Sequence, residues 1–154
     1  MRIMDFLSEK NITVDLKAKN KREIIEELTD LLVKNGNVGD KKKMVQILME
    51  REELGSTGIG QGIAIPHGKS EAVKELTAAF GLSKNGVGFE ALDGEPVYIF
   101  FLLAAPEGTA GTHLKALARI SGLLKDKYFR KKLMTAQSVA DVVEVIQEEE
   151  KAAH

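Results

Sequence analysis

Between Val97 and Pro106 the chain passes through ten residues without a charge, Val-Tyr-Ile-Phe-Phe-Leu-Leu-Ala-Ala-Pro. The run is half the ~20 residues that a membrane-crossing helix needs. Its aromatic and branched content, with no polar alternation over Val97 to Ala104, is that of a strand covered on both faces. A strand of that kind is expected to be central in its sheet. Leu76 to Leu82 reads as a second strand, and Asp93-Gly94 as a turn before the apolar run. Asn20 is placed to cap a helix, with Glu23 as its capping-box partner, a stripe of Ile24, Ile25, Leu28, Leu31 and Leu32, and Gly36 at its end. Asp40 caps a second helix, on which Met44, Ile47, Leu48 and Arg51 share a face and which ends at Gly55. Thr112 is expected to cap a third, carrying Leu114, Leu117, Ala118, Ser121 and Leu124. Ser138 with Asp141 opens the last, whose stripe is Val139, Val142, Val143 and Ile146, and whose Glu148-Glu149-Glu150-Lys151 end is polar enough to fray. Helices and strands thus alternate. The pattern predicts one α/β domain over residues 1–150, a mixed sheet flanked by helices, followed by a polar tail at 151–154 that includes His154. The strand order does not follow from it.

The segment between the second helix and the strands is unlike the rest. From Gly55 to Gly68 the glycines Gly58, Gly60 and Gly62 and the proline Pro66 forbid a helix and leave a loop and a short strand at Ile63-Ala64-Ile65. A phosphate-cradling P-loop needs a glycine five residues before Gly68, but Ile63 stands there. A dinucleotide fingerprint fails too, because Gly60 is followed three residues later by Ile63. What remains is His67, held at the end of the short strand between Pro66 and Gly68. A neutral imidazole has one free lone pair and, with an ordinary pKa near ~6.5, is largely neutral at intracellular pH. It can attack phosphorus directly. Phosphoryl transfer then needs positioning, and positive charge or N–H donors around the equatorial oxygens.

The stretch Gly55-Ser56-Thr57-Gly58-Ile59-Gly60-Gln61-Gly62-Ile63-Ala64-Ile65-Pro66-His67-Gly68 resembles the signature of the fructose/mannitol-type enzyme IIA domains of the bacterial sugar phosphotransferase system, a type that includes a nitrogen-regulatory branch. Arg51 falls where that family keeps an arginine, and Ala105-Pro106-Glu107 followed by Thr112-His113-Leu114 is similar to its second histidine segment. The resemblance covers essentially the whole chain. It implies a phosphotransferase in which His67 accepts phosphate from the phosphohistidine of the carrier HPr and passes it to the cysteine of a sugar-specific EIIB. The membrane is then reached only indirectly, through EIIC. His113 would assist by hydrogen bonding and Arg51 by fixed charge, with Thr57, Gly58, Gly60, Gln61 and Gly68 as the loop around the phosphate. The phosphate would sit on Nε2, with Nδ1–H held by a backbone carbonyl. A modest apolar patch around His67, built from Ile59 and Ile63, is expected to meet the partners.

Bland readings stand beside these. A histidine in a strand is more often packed than reactive, His113 could face water on a helix, and Arg51 could be one solvated charge in Glu50-Arg51-Glu52-Glu53. The length of the match favours function for His67. A formal charge of −1, from 22 basic and 23 acidic residues, gives no bulk attraction for nucleic acid. Without cysteine there is neither a disulfide nor a thiolate site. Asp5 and Glu9 interrupt the N-terminal residues before they reach signal-peptide length, and the expected location is the cytoplasm. No cofactor is implied. Three readings are open: a phosphoryl carrier for sugar uptake, a nitrogen-type regulator whose contacts depend on phosphorylation, and a metal-dependent hydrolase using His67 and His113. The last is the weakest, since the two histidines have no paired ligand spacing.

Overall fold

The computed structural model describes residues 1–152, so Ala153 and His154 of the expected tail lie outside the described residues. Six strands form one sheet: β1 (Leu7–Thr13), β2 (Gly58–Gly60), β3 (Ile63–Ala64), β4 (His67–Lys69), β5 (Thr77–Val87) and β6 (Val97–Ala105). The helices are α1 (Lys21–Lys34), α2 (Lys41–Glu53), α3 (Ala110–Leu124), α4 (Lys127–Met134) and α5 (Val139–Ala152). The order across the sheet is β1-β5-β6-β3-β2, with β4 following β3 along the same edge of β6. β5 and β6 pair antiparallel, while β1 on β5 and both β3 and β4 on β6 are parallel. The sheet is therefore mixed, as the alternation of elements predicts.

The apolar run is β6, and its two sets of side chains enter two different cores. Ile99, Phe101 and Leu103 pack with Ala116, Ile120, Phe129, Leu133, Val142 and Ile146 from α3, α4 and α5. Phe100, Leu102 and Ala104 pack with Ile24, Leu28, Met44 and Leu48 from α1 and α2. Strand alternation divides the run between the layers. The helix starts follow their caps: Asn20 Oδ1 accepts from the Glu23 amide (2.9 Å), Asp40 from Lys43 (3.1 Å) and Ser138 Oγ from Asp141 (3.1 Å). Gly36 closes α1 at φ +80°.

Several elements differ from expectation. β1 was not anticipated, because exposed Ser8, Glu9 and Lys10 follow buried Leu7 and leave no period of two. α4 is short, and only Phe129 and Leu133 in it are buried, although Asp126 caps it through the amides of Tyr128 and Phe129. α3 starts at Ala110, with Thr109 and not Thr112 in the cap position. Its first turn is fixed by the turn leaving β6, where Gly108 takes φ +81° and the Thr109 hydroxyl donates to the Pro106 carbonyl (2.6 Å). The core face consequently carries His113, Ala116, Ile120, Leu123 and Leu124, and Leu114 is left 65% exposed. The acidic end of α5 does not fray at Glu150. That residue is buried, accepts the Ile3 amide on both oxygens (3.0 Å each) and pairs with Arg119 (3.0 Å). No helix among the described residues is long and apolar enough to cross a membrane.

Candidate functional site

β3 and β4 are one strand path interrupted at Ile65-Pro66. Pro66 has no amide to give a ladder, but its carbonyl accepts from the Leu103 amide (2.8 Å). His67 is therefore the first residue of β4, paired with Leu103, and not the last residue of β3 as the sequence suggested. Gly68 pairs with Ala104 on the α2 side, where a Cβ would stand 2.8 Å from Ile47 Cγ2. Alternation turns His67 to the opposite face, towards the start of α3. There its ring meets that of His113 edge to face, with centroids 5.5 Å apart.

The tautomer of His67 follows from one contact. Its Nδ1 lies 2.8 Å from the Ile65 carbonyl oxygen, which can only accept, so Nδ1 bears the hydrogen and Nε2 keeps the lone pair. Partial burial lowers the basicity of the imidazole and the Arg51 charge adds to this, against the opposing effects of the Ile65 bond and the Glu52 charge. The ring is thus neutral and nucleophilic at Nε2 near pH 7.

His113 is 5% exposed, not turned to water, and neither ring nitrogen has a hydrogen-bond partner among the described residues. Its amide donates to the Thr109 carbonyl (3.0 Å), so it belongs to the first closed turn and is not among the free amides at the helix start. Burial, with the neighbouring His67 and Lys69, pushes its pKa down to about 4. Two unsatisfied nitrogens in a buried ring are costly unless something arrives to use them. Arg51 is half-buried and donates from Nη1 to the Gly55 carbonyl (2.9 Å), with no ion pair among the described residues. It is not one of a string of solvated charges. His67 and His113 are thus brought together from β4 and α3, and the charge of Arg51 acts on His67 from the end of α2.

The loop residues have other neighbours. Gln61 (φ +60°) and Gly62 (φ +78°) form the two-residue turn of the β2–β3 hairpin, both in the left-handed region that such a turn requires. The Gln61 amide donates to Asp93 (3.1 Å), and its side-chain oxygen lies 3.4 Å from Arg130 on α4. A Cβ on Gly60 would stand 3.3 Å from Asp93, and one on Gly58 2.9 Å from the Ala91 Cβ. The Gly58 amide is held by Ser56 Oγ (3.0 Å). Thr57 is buried and gives both its amide (3.1 Å) and its hydroxyl to Glu52. In the expected apolar patch Ile59 is 44% exposed, whereas Ile63 is in the core. Leu54, Leu92 and Leu114 are each more exposed than Ile59.

Two charged neighbours were missed by sequence reasoning. Lys69 sits two residues after His67 on β4, so it shares the face of His67, and period-two reading would have found it had His67 been assigned to a strand start. Glu52 looked like one charge of an exposed run; only the fold shows it buried. No group of three or more metal-binding side chains is clustered among the described residues.

Residues 5–149 match the family model described as "Phosphoenolpyruvate-dependent sugar phosphotransferase system, EIIA 2". The chain is 40% identical, over 98% of its length, to the fructose-specific EIIABC component of Bacillus subtilis, of which it spans only 24%. Its fold superposes on the nitrogen regulatory protein IIA-Ntr of Neisseria meningitidis with a TM-score of 0.87 and 38% identity, over 94% of this chain and 98% of that one. It is also similar to the mannitol enzyme IIA of Escherichia coli in its complex with phosphorylated enzyme IIB (TM-score 0.78, 28% identity, 92% of this chain and 96% of that chain).

Proposed function

The chain belongs to the EIIA 2 family of the phosphoenolpyruvate-dependent sugar phosphotransferase system, and from that premise we propose that it is a phosphoryl carrier in which His67 takes and gives up the phosphoryl group. The observation that carries the reading is the Nδ1–H of His67 on the Ile65 carbonyl at 2.8 Å, beside an unpartnered His113. That bond fixes the ring and leaves Nε2 as the nucleophile. In the forward step Nε2 attacks the phosphorus of phospho-HPr, the N–P bond to the HPr imidazole breaks, and a new N–P bond forms on His67. In the second step a cysteine thiolate of EIIB displaces the phosphoryl group and Nε2 regains its lone pair. Arg51 balances charge on the equatorial oxygens, and His113 supplies one of its free nitrogens as N–H.

Sugar uptake is the first reading of the pathway, and the 40% identity to a fructose-specific component supports it. The regulatory reading has its own support, in the likeness over 98% of a nitrogen regulatory protein's chain. In that reading the same phosphohistidine changes which protein is bound. The test incubates wild type and His67→Ala with phosphoenolpyruvate, enzyme I and HPr and reads intact mass before and after mild acid. One acid-labile phosphoryl adduct on wild type only is expected; no adduct on either, with HPr itself phosphorylated, overturns the carrier reading. Discharge of the adduct onto a fructose- or mannitol-type EIIB then separates uptake from regulation.

A further inference from the structure

Glu52 lies in the last turn of α2, one residue after Arg51, and the two go separate ways: Arg51 reaches the Gly55 carbonyl at the mouth of the loop, and Glu52 turns inward. Its carboxylate is 2% exposed. Burying a carboxylate is unfavourable unless its oxygens are fully engaged. Here Oε1 accepts the Thr57 amide (3.1 Å), Oε2 accepts the Thr57 hydroxyl, and Lys21 Nζ stands 3.3 Å away.

These bonds lead to the nucleophile. The Thr57 carbonyl accepts the Ile65 amide (3.0 Å), and the Ile65 carbonyl accepts Nδ1–H of His67 (2.8 Å). Three consecutive hydrogen bonds thus connect Glu52 to the ring, across the β2–β3 hairpin. Lys21, the first residue of α1, braces the carboxylate from behind. It is 15% exposed, pairs also with Glu90 (3.3 Å) and lies 4.9 Å from the centre of the Phe89 ring. The Phe89 carbonyl accepts the Ser56 hydroxyl (2.7 Å), and Glu90 takes φ +53°, a backbone state unfavourable for a residue with a side chain. Such a state persists where its surroundings enforce it, and here they converge on the loop before His67.

We propose that Glu52, with Lys21 as its counter-ion, is a positioning residue for phosphoryl transfer: through Thr57 and Ile65 it fixes the orientation and tautomer of the His67 ring. The proposal rests on the carrier reading for its kinetic consequence, but the tautomer is a property of the unphosphorylated protein. An anion behind the loop also opposes the effect of Arg51, since Glu52 raises the basicity of His67.

Nitrogen NMR of the histidine rings and the kinetics of phosphoryl transfer from phospho-HPr test it in wild type, Glu52→Gln and Thr57→Val. Glu52→Gln keeps the shape and one acceptor for the Thr57 amide but loses the charge and the hold of Lys21. Expected are a lower titration midpoint for His67, a smaller share of the Nδ1–H tautomer, and a fall in kcat of about tenfold or more with KM within about twofold, the pattern of a misplaced but accessible nucleophile. A purely structural glutamate would lower the denaturation midpoint and leave the tautomer of the folded protein as it was. Wild-type rates with an unchanged tautomer and titration in Glu52→Gln overturn the proposal. If Glu52→Gln folds poorly, Thr57→Val, which removes the hydroxyl bond to Glu52 and keeps the charge, is read for tautomer and kcat: a smaller share of Nδ1–H and slower transfer with an unchanged titration midpoint are expected, and wild-type values of both overturn the proposal. Should wild type accept no phosphate, the carrier reading fails, while the tautomer in the variants still decides the positioning role.

Discussion

His113 is where a single residue's environment has the largest measurable consequence. Unfolded, its imidazole titrates near ~6.5; folded, burial and the neighbouring His67 and Lys69 push it down to about 4. Between those values the unfolded chain binds a proton that the folded chain does not, so stability rises with pH across that window and falls as the solution is acidified through it. Below about 4 both states are protonated and the loss levels off. Its limit is about 3 kcal/mol for this one residue. Urea denaturation of wild type and His113→Leu at pH 7 and pH 4.5 isolates the contribution: the gap between the proteins should shift in favour of the variant at the lower pH. Equal shifts in both would place the acid sensitivity elsewhere. This environment could not be read from Thr112-His113-Leu114, because the cap lies at Thr109, three residues before Thr112, and which face of α3 meets the sheet is set by the turn leaving β6. The surroundings of His67 are local by contrast: Ile65, two residues earlier, supplies the carbonyl that holds Nδ1, and only its place at the start of β4 needed the fold.

At the scale of elements, α2 packs closely on β4, the strand that carries His67, and Gly68 makes this approach possible. A methyl group there would stand 2.8 Å from Ile47 Cγ2, with Met44 Cε at 3.4 Å and Leu48 Cδ2 at 3.5 Å behind it. Gly68→Ala must therefore displace Ile47 or the helix that carries it, at about 1–3 kcal/mol for an overpacked contact. The variant should unfold at lower urea concentration and accept phosphate more slowly than its stability alone accounts for, since the displaced helix carries Arg51. An unchanged midpoint would mean that Ile47 changes rotamer freely. The glycine could be read from the sequence, but its reason could not: the dense Gly55–Gly68 segment pointed to a phosphate loop, whereas Gly58, Gly60 and Gly68 each stand against Ala91, Asp93 or Ile47. Those contacts join residues far apart along the chain.

At the scale of the whole molecule, the two ends of the described chain are tied by Glu150, which accepts the Ile3 amide twice and pairs with Arg119 of α3. Glu150→Ala leaves a buried amide unbonded and a half-buried guanidinium without its partner, and should cost about 2–4 kcal/mol in denaturant unfolding. Adding Arg119→Met should recover part of it; no recovery would mean that the amide dominates. The sequence by itself determined the elements with strong periods or caps, α1, α2, α5 and β6, because each is fixed by residues within a few positions of one another. The tertiary structure alone decided the strand order, the edge strand β1, the phase of α3, and the burial of Glu52, Glu150 and His113. A charge or a lone histidine has no inherent side: whether it meets water or a core depends on which distant backbone packs against it, and that is settled only when the sheet closes between its two layers of helices.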